Sequence, residues 1–209
     1  PVKTEGGLSS GNAGESSNFL CYRALRLNYY AVTGLLARVC LYAGQRENAF
    51  NYSTEVIKAS NNGIFPFVDR SLVNGSAQDP DRIFSPEVLF ALSDSQRGEL
   101  FEEYFDPSLA PNMVFRMETD LLEQTIYGGT GTGGNLDDYR CRSNWISSGS
   151  ARYFYKYSDM TESGRIENTM IPLLRLGEMY LIAAESQSNS LANGVSYINT
   201  LRKNRGVSN

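Results

Sequence analysis

The chain has 209 residues, with 19 basic and 23 acidic side chains, a net charge of −4 and no histidine. Without histidine, no Ser-His-Asp or Cys-His nucleophile pair and no His-bearing zinc site can be built, and no side chain has an unperturbed pKa near neutrality. The acidic balance argues against nucleic acid as a partner, because phosphate backbones demand clustered Lys and Arg; the densest basic stretch is the short run Leu201-Arg202-Lys203-Asn204-Arg205.

Residues 1–18 are rich in Gly, Ser, Asn and Glu and read as loop. The start, Pro1-Val2-Lys3-Thr4-Glu5, reads as the interior of a longer protein. From about Phe19 to Ala43 the pattern is helical, with a broad apolar surface that includes Tyr30, Leu35, Leu36, Val39 and Tyr42. Ala31, Gly34 and Ala37 recur at three-residue spacing and would let another helix approach closely. Gly44-Gln45 breaks the pattern, and a second helix is expected from about Arg46 to Ser60, ended by Asn61-Asn62-Gly63. The pair partly fits a tetratricopeptide repeat, with Leu36, Ala37 and Ala49 in its large, small and small sites.

Residues 63–170 read as a loop-rich region with short apolar runs. Glu87 to Leu92 and Ser150 to Tyr157 suggest short strands, and Gly128 to Gly134 a surface loop without the Gly-Lys-Ser/Thr ending of a phosphate-binding loop. A helical period returns from Ile171 through Leu173, Leu176, Tyr180 and Ala184, and a last helix is expected from about Ala192 to Asn204, closed by Gly206. The fold class is therefore mainly α: tetratricopeptide-like helix pairs at 19–62 and 171–206, flanking an irregular middle with a few short strands. An interruption of this length between helical pairs usually carries the function.

No apolar run approaches the ~20 residues of a membrane helix. Cys21, Cys40 and Cys141 are odd in number and widely spaced, which is neither a disulfide framework nor a zinc pattern, so no disulfide, metal or cofactor is expected.

Four segments resemble the SusD/RagB family. Tyr29 to Gly44 with its continuation Ala49 to Ser60 is similar to one helix pair of that family, and Pro86-Glu87-Val88-Leu89-Phe90-Ala91-Leu92 to one of its strands. Ile171-Pro172-Leu173-Leu174-Arg175-Leu176-Gly177-Glu178-Met179-Tyr180 through Glu185 resembles its most recognisable helix, and Tyr197 to Gly206 the helix that follows. The resemblance implies a single domain portion of a surface-exposed outer-membrane lipoprotein that binds glycans or other nutrients, sits over a SusC-like TonB-dependent transporter and is not an enzyme. It also implies a lipid anchor and further helix pairs before Pro1, and a further segment beyond Asn209.

A glycan binder needs flat aromatic faces against sugar C–H surfaces, with polar groups that orient the hydroxyls. The candidates are Trp145, Phe101, Tyr104, Phe105, Tyr127 and Tyr139. Trp145, in the polar stretch Arg142 to Ser148, could be an exposed platform or a lid on the core; Phe101, Tyr104 and Phe105 could equally pack one buried helix face. Tyr30, Tyr42, Tyr52 and Tyr180 read as helix-packing residues, and Tyr153, Tyr155 and Tyr157 as one side of a strand.

Arg175 and Glu178 could pair at i, i+3. Glu178 and Glu185, read as a glycosidase pair, would lie about 10 Å apart on one helix, too far for a retaining mechanism and at the edge for an inverting one. Asp137-Asp138 and Asp79-Pro80-Asp81 offer oxygens to Ca²⁺ but read as turn chemistry. Two competing functions stand beside glycan binding: a tetratricopeptide-type protein-interaction scaffold and a carboxylate-based glycosidase.

Overall fold

Asn28 starts the first helix: its buried side chain accepts from the Ala31 N–H at 2.9 Å, which satisfies one of the free donors of the first turn. Helix α1 is therefore Tyr29–Tyr42, shorter than the Phe19 start expected from periodicity, of which residues 19–24 lie outside those described. In the computed structural model the described residues are 25–73, 79–128, 136–161, 164–187 and 190–207. The expected Gly128–Gly134 loop and Cys21 fall largely or wholly outside them.

Helix α2 is Arg46–Asn61, as its spacing predicts. The short helix α3 is Arg70–Val73. Strand β1 is Val88–Ser93, helix α4 Arg97–Tyr104 and strand β2 Arg116–Glu118. A π-helical turn follows at Leu121–Ile126, then helix α5 at Tyr139–Asn144, strand β3 at Trp145–Ser148 and strand β4 at Ala151–Phe154. Strand β5 is Met170–Arg175, helix α6 Leu176–Ser186 and helix α7 Leu191–Lys203. The fold is mainly α, with two small sheets, β1-β5 and β2-β4-β3.

The chain forms two compact units. The first holds residues up to Phe67, Pro86–Leu92 and Ile171–Leu201. Here α1 packs on α2 and α2 on α6. Its core is Ala37, Ala49, Val56, Leu89, Leu176 and Met179, all fully buried, with Phe65, Leu174 and Tyr180 around them. The small-residue stripe of α1 does give a close approach, but strand side chains share it with the expected helix: a Cβ on Gly34 would stand 2.8 Å from Leu174 Cδ2 on β5 and 3.2 Å from Met179 Sδ on α6. Tyr180 meets Phe67 at 5.2 Å and Tyr197 at 6.3 Å between ring centroids, so it packs as expected.

Several expectations change here. Ile171–Arg175 is strand rather than helix, because Pro172 has no N–H for a helix interior and restricts Ile171 to extended backbone, while the segment pairs with β1. Arg175 therefore precedes the helix, and Glu178 pairs instead with Arg38, whose Nε and Nη2 reach its two oxygens at 2.6 and 2.7 Å. Glu185 is exposed. Leu36 is 41% exposed rather than a core knob, and Tyr42 is 88% exposed rather than packed between helices. The outer faces of α6 and α7 form an open aliphatic groove of about 420 Å³, lined by Leu181, Leu191, Val195 and Ile198.

The second unit holds Val68–Ser85, Ser93–Met170 and the residues after Arg202. Val68, Val73 and Phe84 form a small core against which Tyr139 packs. Arg205 lies 4.9 Å above the Phe84 ring and its carbonyl accepts from the Tyr139 N–H at 2.9 Å. Gly206 makes this possible: its φ is +79°, and a Cβ there would meet the Tyr139 ring at 2.5 Å and the Asp137 carbonyl at 2.7 Å. Gly206→Ala is expected to cost about 2–4 kcal/mol, from the positive φ and the clash together, read as a lowered midpoint in urea unfolding.

Candidate functional site

The three-stranded sheet of the second unit sets the site. Register pairs Trp145 with Phe154 and Ile146 with Tyr153 across β3 and β4, and Arg116 with Tyr153 and Met117 with Arg152 across β2 and β4. Side chains alternate along a strand, so Trp145, Phe154 and Phe115, the residue before β2, fall on one face. Their rings close on one another. Trp145 and Phe115 each meet Phe154, at 5.2 and 5.8 Å between centroids, and meet each other at 6.1 Å with a tilt of 39°. Phe105 adds contacts of 6.1 Å to Phe115 and 5.8 Å to Phe154. Each is within the 4.5–7 Å range of favourable aromatic pairing.

The rings differ in exposure. Phe115 is 51% exposed and Tyr104 also 51%, whereas Trp145, Phe105 and Phe154 are half-buried. The Phe115 N–H donates to the Tyr104 carbonyl at 3.1 Å, which holds Tyr104 beside the cluster. The Tyr104 hydroxyl shares a hydrogen bond with Glu103, which pushes its pKa up. Burial raises the Tyr127 pKa, and the nearby Trp145 indole lowers it in part.

Of the six residues singled out from sequence, Trp145 and Phe105 join one ring cluster, Tyr104 is held beside it through its carbonyl, and Tyr127 lies near Trp145. Phe101 is buried, packing under the cluster against Phe105 at 6.4 Å and Tyr155 at 5.1 Å. Tyr139 belongs to the small core beside Phe84. Two platform rings escaped the sequence reading, Phe115 and Phe154. The alternation Phe115-Arg116-Met117-Glu118 was the available signal for the first. Phe154 was assigned to a strand running from Ser150 to Tyr157, but the strand ends at Phe154 and Tyr155 and Tyr157 lie past it.

The charged groups around the cluster are organised in pairs. Arg152 shares the aromatic face and pairs with Glu123. Asp138, itself buried, caps α5 by accepting from the Arg140 N–H at 2.8 Å and binds the same guanidinium at 2.6 and 3.0 Å. Asp137 pairs with Arg142. Asp81 accepts from the Ser85 N–H at 2.7 Å and its hydroxyl at 2.8 Å, and Asp79 from the Thr161 N–H at 2.9 Å. The oxygens that sequence offered to a calcium ion are thus engaged within the chain. Burial pushes the Cys141 thiol up to about 11, and Cys40 and Cys141 are both free. Among the described residues no helix is long and apolar enough to cross a membrane.

Comparison with known proteins supplies the architecture. A SusD superfamily protein from Bacteroides vulgatus superposes on 86% of this chain with a TM-score of 0.56 at 21% identity. The chain has a SusD-like fold. A SusD-like carbohydrate binding protein from Bacteroides vulgatus matches 95% of it with a TM-score of 0.56 at 17% identity. A SusD superfamily protein from Bacteroides thetaiotaomicron matches 88% with a TM-score of 0.54 at 20% identity. The chain spans about two fifths of the length of these SusD-like structures, 41%, 40% and 42% respectively. No family model and no curated protein matches the sequence.

Proposed function

We propose that this chain is part of a cell-surface glycan-binding protein that holds its ligand without transforming it and passes it to a SusC-like TonB-dependent outer-membrane transporter. One observation carries the reading: a fixed, partly exposed aromatic surface, Phe115 and Trp145 over Phe154, extended by Tyr104 and Phe105. Such a surface matches the C–H face of a sugar ring, and its binding is driven by apolar area removed from water. The SusD-like fold, shared with a carbohydrate binding protein of Bacteroides vulgatus, supports the same assignment. In this reading a lipid anchor outside the given sequence holds the protein at the outer membrane, and the chain is one portion of a single SusD-like domain.

The scaffold reading draws on the α6–α7 groove, but that lining is mostly aliphatic, with Glu185 and Gln187 its polar members. The glycosidase reading loses its proposed pair, since Arg38 holds Glu178 and Glu185 lies exposed. Affinity electrophoresis of the full-length protein through gels containing polysaccharides tests the proposal. Retardation by at least one polysaccharide is expected, with affinity varying less than about twofold between pH 5 and 8, because no histidine titrates there. Retardation by none would count against glycan binding, and a sharp transition within that interval would show that another titrating group controls it.

A further inference from the structure

The surroundings of the aromatic platform carry uneven charge. Helix α4 leads into it and bears Glu99, Glu102 and Glu103, all exposed, and Asp106 directly follows Phe105. At 1.5 Å rise per residue the three glutamates lie within about 9 Å of Phe105 along the helix, close to the ~8 Å Debye length at physiological salt. The one cation of α4, Arg97, is buried and committed: it binds Asp159 Oδ1 at 3.0 Å and the Glu167 and Met170 carbonyls at 2.6 and 3.3 Å, with its guanidinium 5.9 Å from the Tyr157 ring centre.

The cations on the other sides are committed or offset. Arg152 is neutralised by Glu123, and Arg140 and Arg142, on the helix that runs into Trp145, are neutralised by Asp138 and Asp137. Arg116 is exposed beside Phe115, but its Nε is turned to the Pro111 carbonyl at 3.3 Å and the exposed Glu118 follows two residues on. Lys156 stands 5.1 Å over the Tyr157 ring. The rim on the α4 side is therefore net negative, and no cluster of cations answers it on the ring faces.

We propose that the platform selects uncharged stretches of glycan and discriminates against sugars that carry carboxylate or sulfate. The proposal rests on the glycan-binding reading. An anionic sugar stacked on Phe115 and Trp145 would meet the field of the α4 carboxylates and Asp106 with only Arg116, itself offset by Glu118, beside the rings, whereas a neutral sugar meets only the hydrocarbon surface.

The test uses the full-length protein and polysaccharide pairs that share a backbone and differ in charge: methyl-esterified against de-esterified polygalacturonate, and desulfated against sulfated galactan, beside a panel of neutral glucans, xylans and mannans. The expected result is that any pair bound in its neutral form is bound about tenfold or more weakly in its charged form at low salt. The gap should shrink as salt shortens the Debye length to about 3 Å near 1 M. The double variant Glu99→Gln, Glu102→Gln should narrow the same gap. Charged members binding as well as or better than their neutral partners, or a gap indifferent to both salt and the variant, would overturn the charge rule while leaving glycan binding intact. Failure of every neutral and charged polysaccharide to bind would overturn the glycan reading itself.

Discussion

Phe115→Ala is expected to weaken glycan binding about tenfold while lowering the thermal midpoint less than Phe154→Ala does. The ring is half exposed but also touches Phe105, Trp145 and Phe154, so its removal deletes ligand-facing area together with part of the cluster's packing. Stacking one sugar on that face removes roughly 40–80 Å² of apolar surface from water, worth about 1–2 kcal/mol at ~25 cal/mol per Å², and 1.4 kcal/mol is a factor of ten in affinity. Phe154→Ala should behave differently. It lies beneath Phe115 and Trp145 and also touches Phe105 and Tyr157, so it should lower both affinity and stability. Tyr42→Ala is the control: this ring is 88% exposed on the first unit and its loss should change neither. Isothermal titration with a bound oligosaccharide, beside thermal melts, separates the three. Equal affinity for Phe115→Ala and the parent would remove the platform from consideration.

Leu89→Ala should cost about 2–5 kcal/mol, the range for large-to-small changes in a packed core. Leu89 is fully buried in β1 and its Cδ1 lies within 3.3 Å of where a Gly34 Cβ would be, so the backbone of α1 and the side chain of Leu89 fill the same space. Two nearby observations suggest that the site collapses little: Gly34 gives α1 close backbone contact with Leu174 and Met179, and the Arg38–Glu178 pair ties α1 to the start of α6. Chemical denaturation, followed by the near-ultraviolet signal of Tyr30 and Tyr180 in the same core, would read the loss. A change below about 1 kcal/mol would show that the first unit repacks freely.

The sequence by itself determined the helical pairs, because a buried helix face requires a 3.6-residue apolar period and small residues at a close approach. Ala31, Gly34 and Ala37 marked that approach, Asn61-Asn62-Gly63 the end of α2, and Leu176 with Tyr180 the buried face of α6. It also placed most of the aromatic candidates within one stretch of chain. It could not show that Ile171–Arg175 is strand, since the partner that draws it out is β1, some eighty residues earlier. Nor could it show that Glu178 answers Arg38 rather than Arg175, a pairing across 140 positions.

The aromatic face depends on long-range contacts for a related reason. Phe101, Tyr104 and Phe105 share one spacing, yet one is buried, one exposed and one half-buried, because Phe101 packs on Tyr155 and Phe105 on Phe115 and Phe154 while Tyr104 faces solvent. The short alternation at Phe115 to Glu118 marks a strand but not its partner; strand pairing brings Phe115 level with Phe154 and within reach of Trp145. Local periodicity reports which residues are apolar along one element, whereas a platform depends on which elements meet, and that is set by long-range pairing.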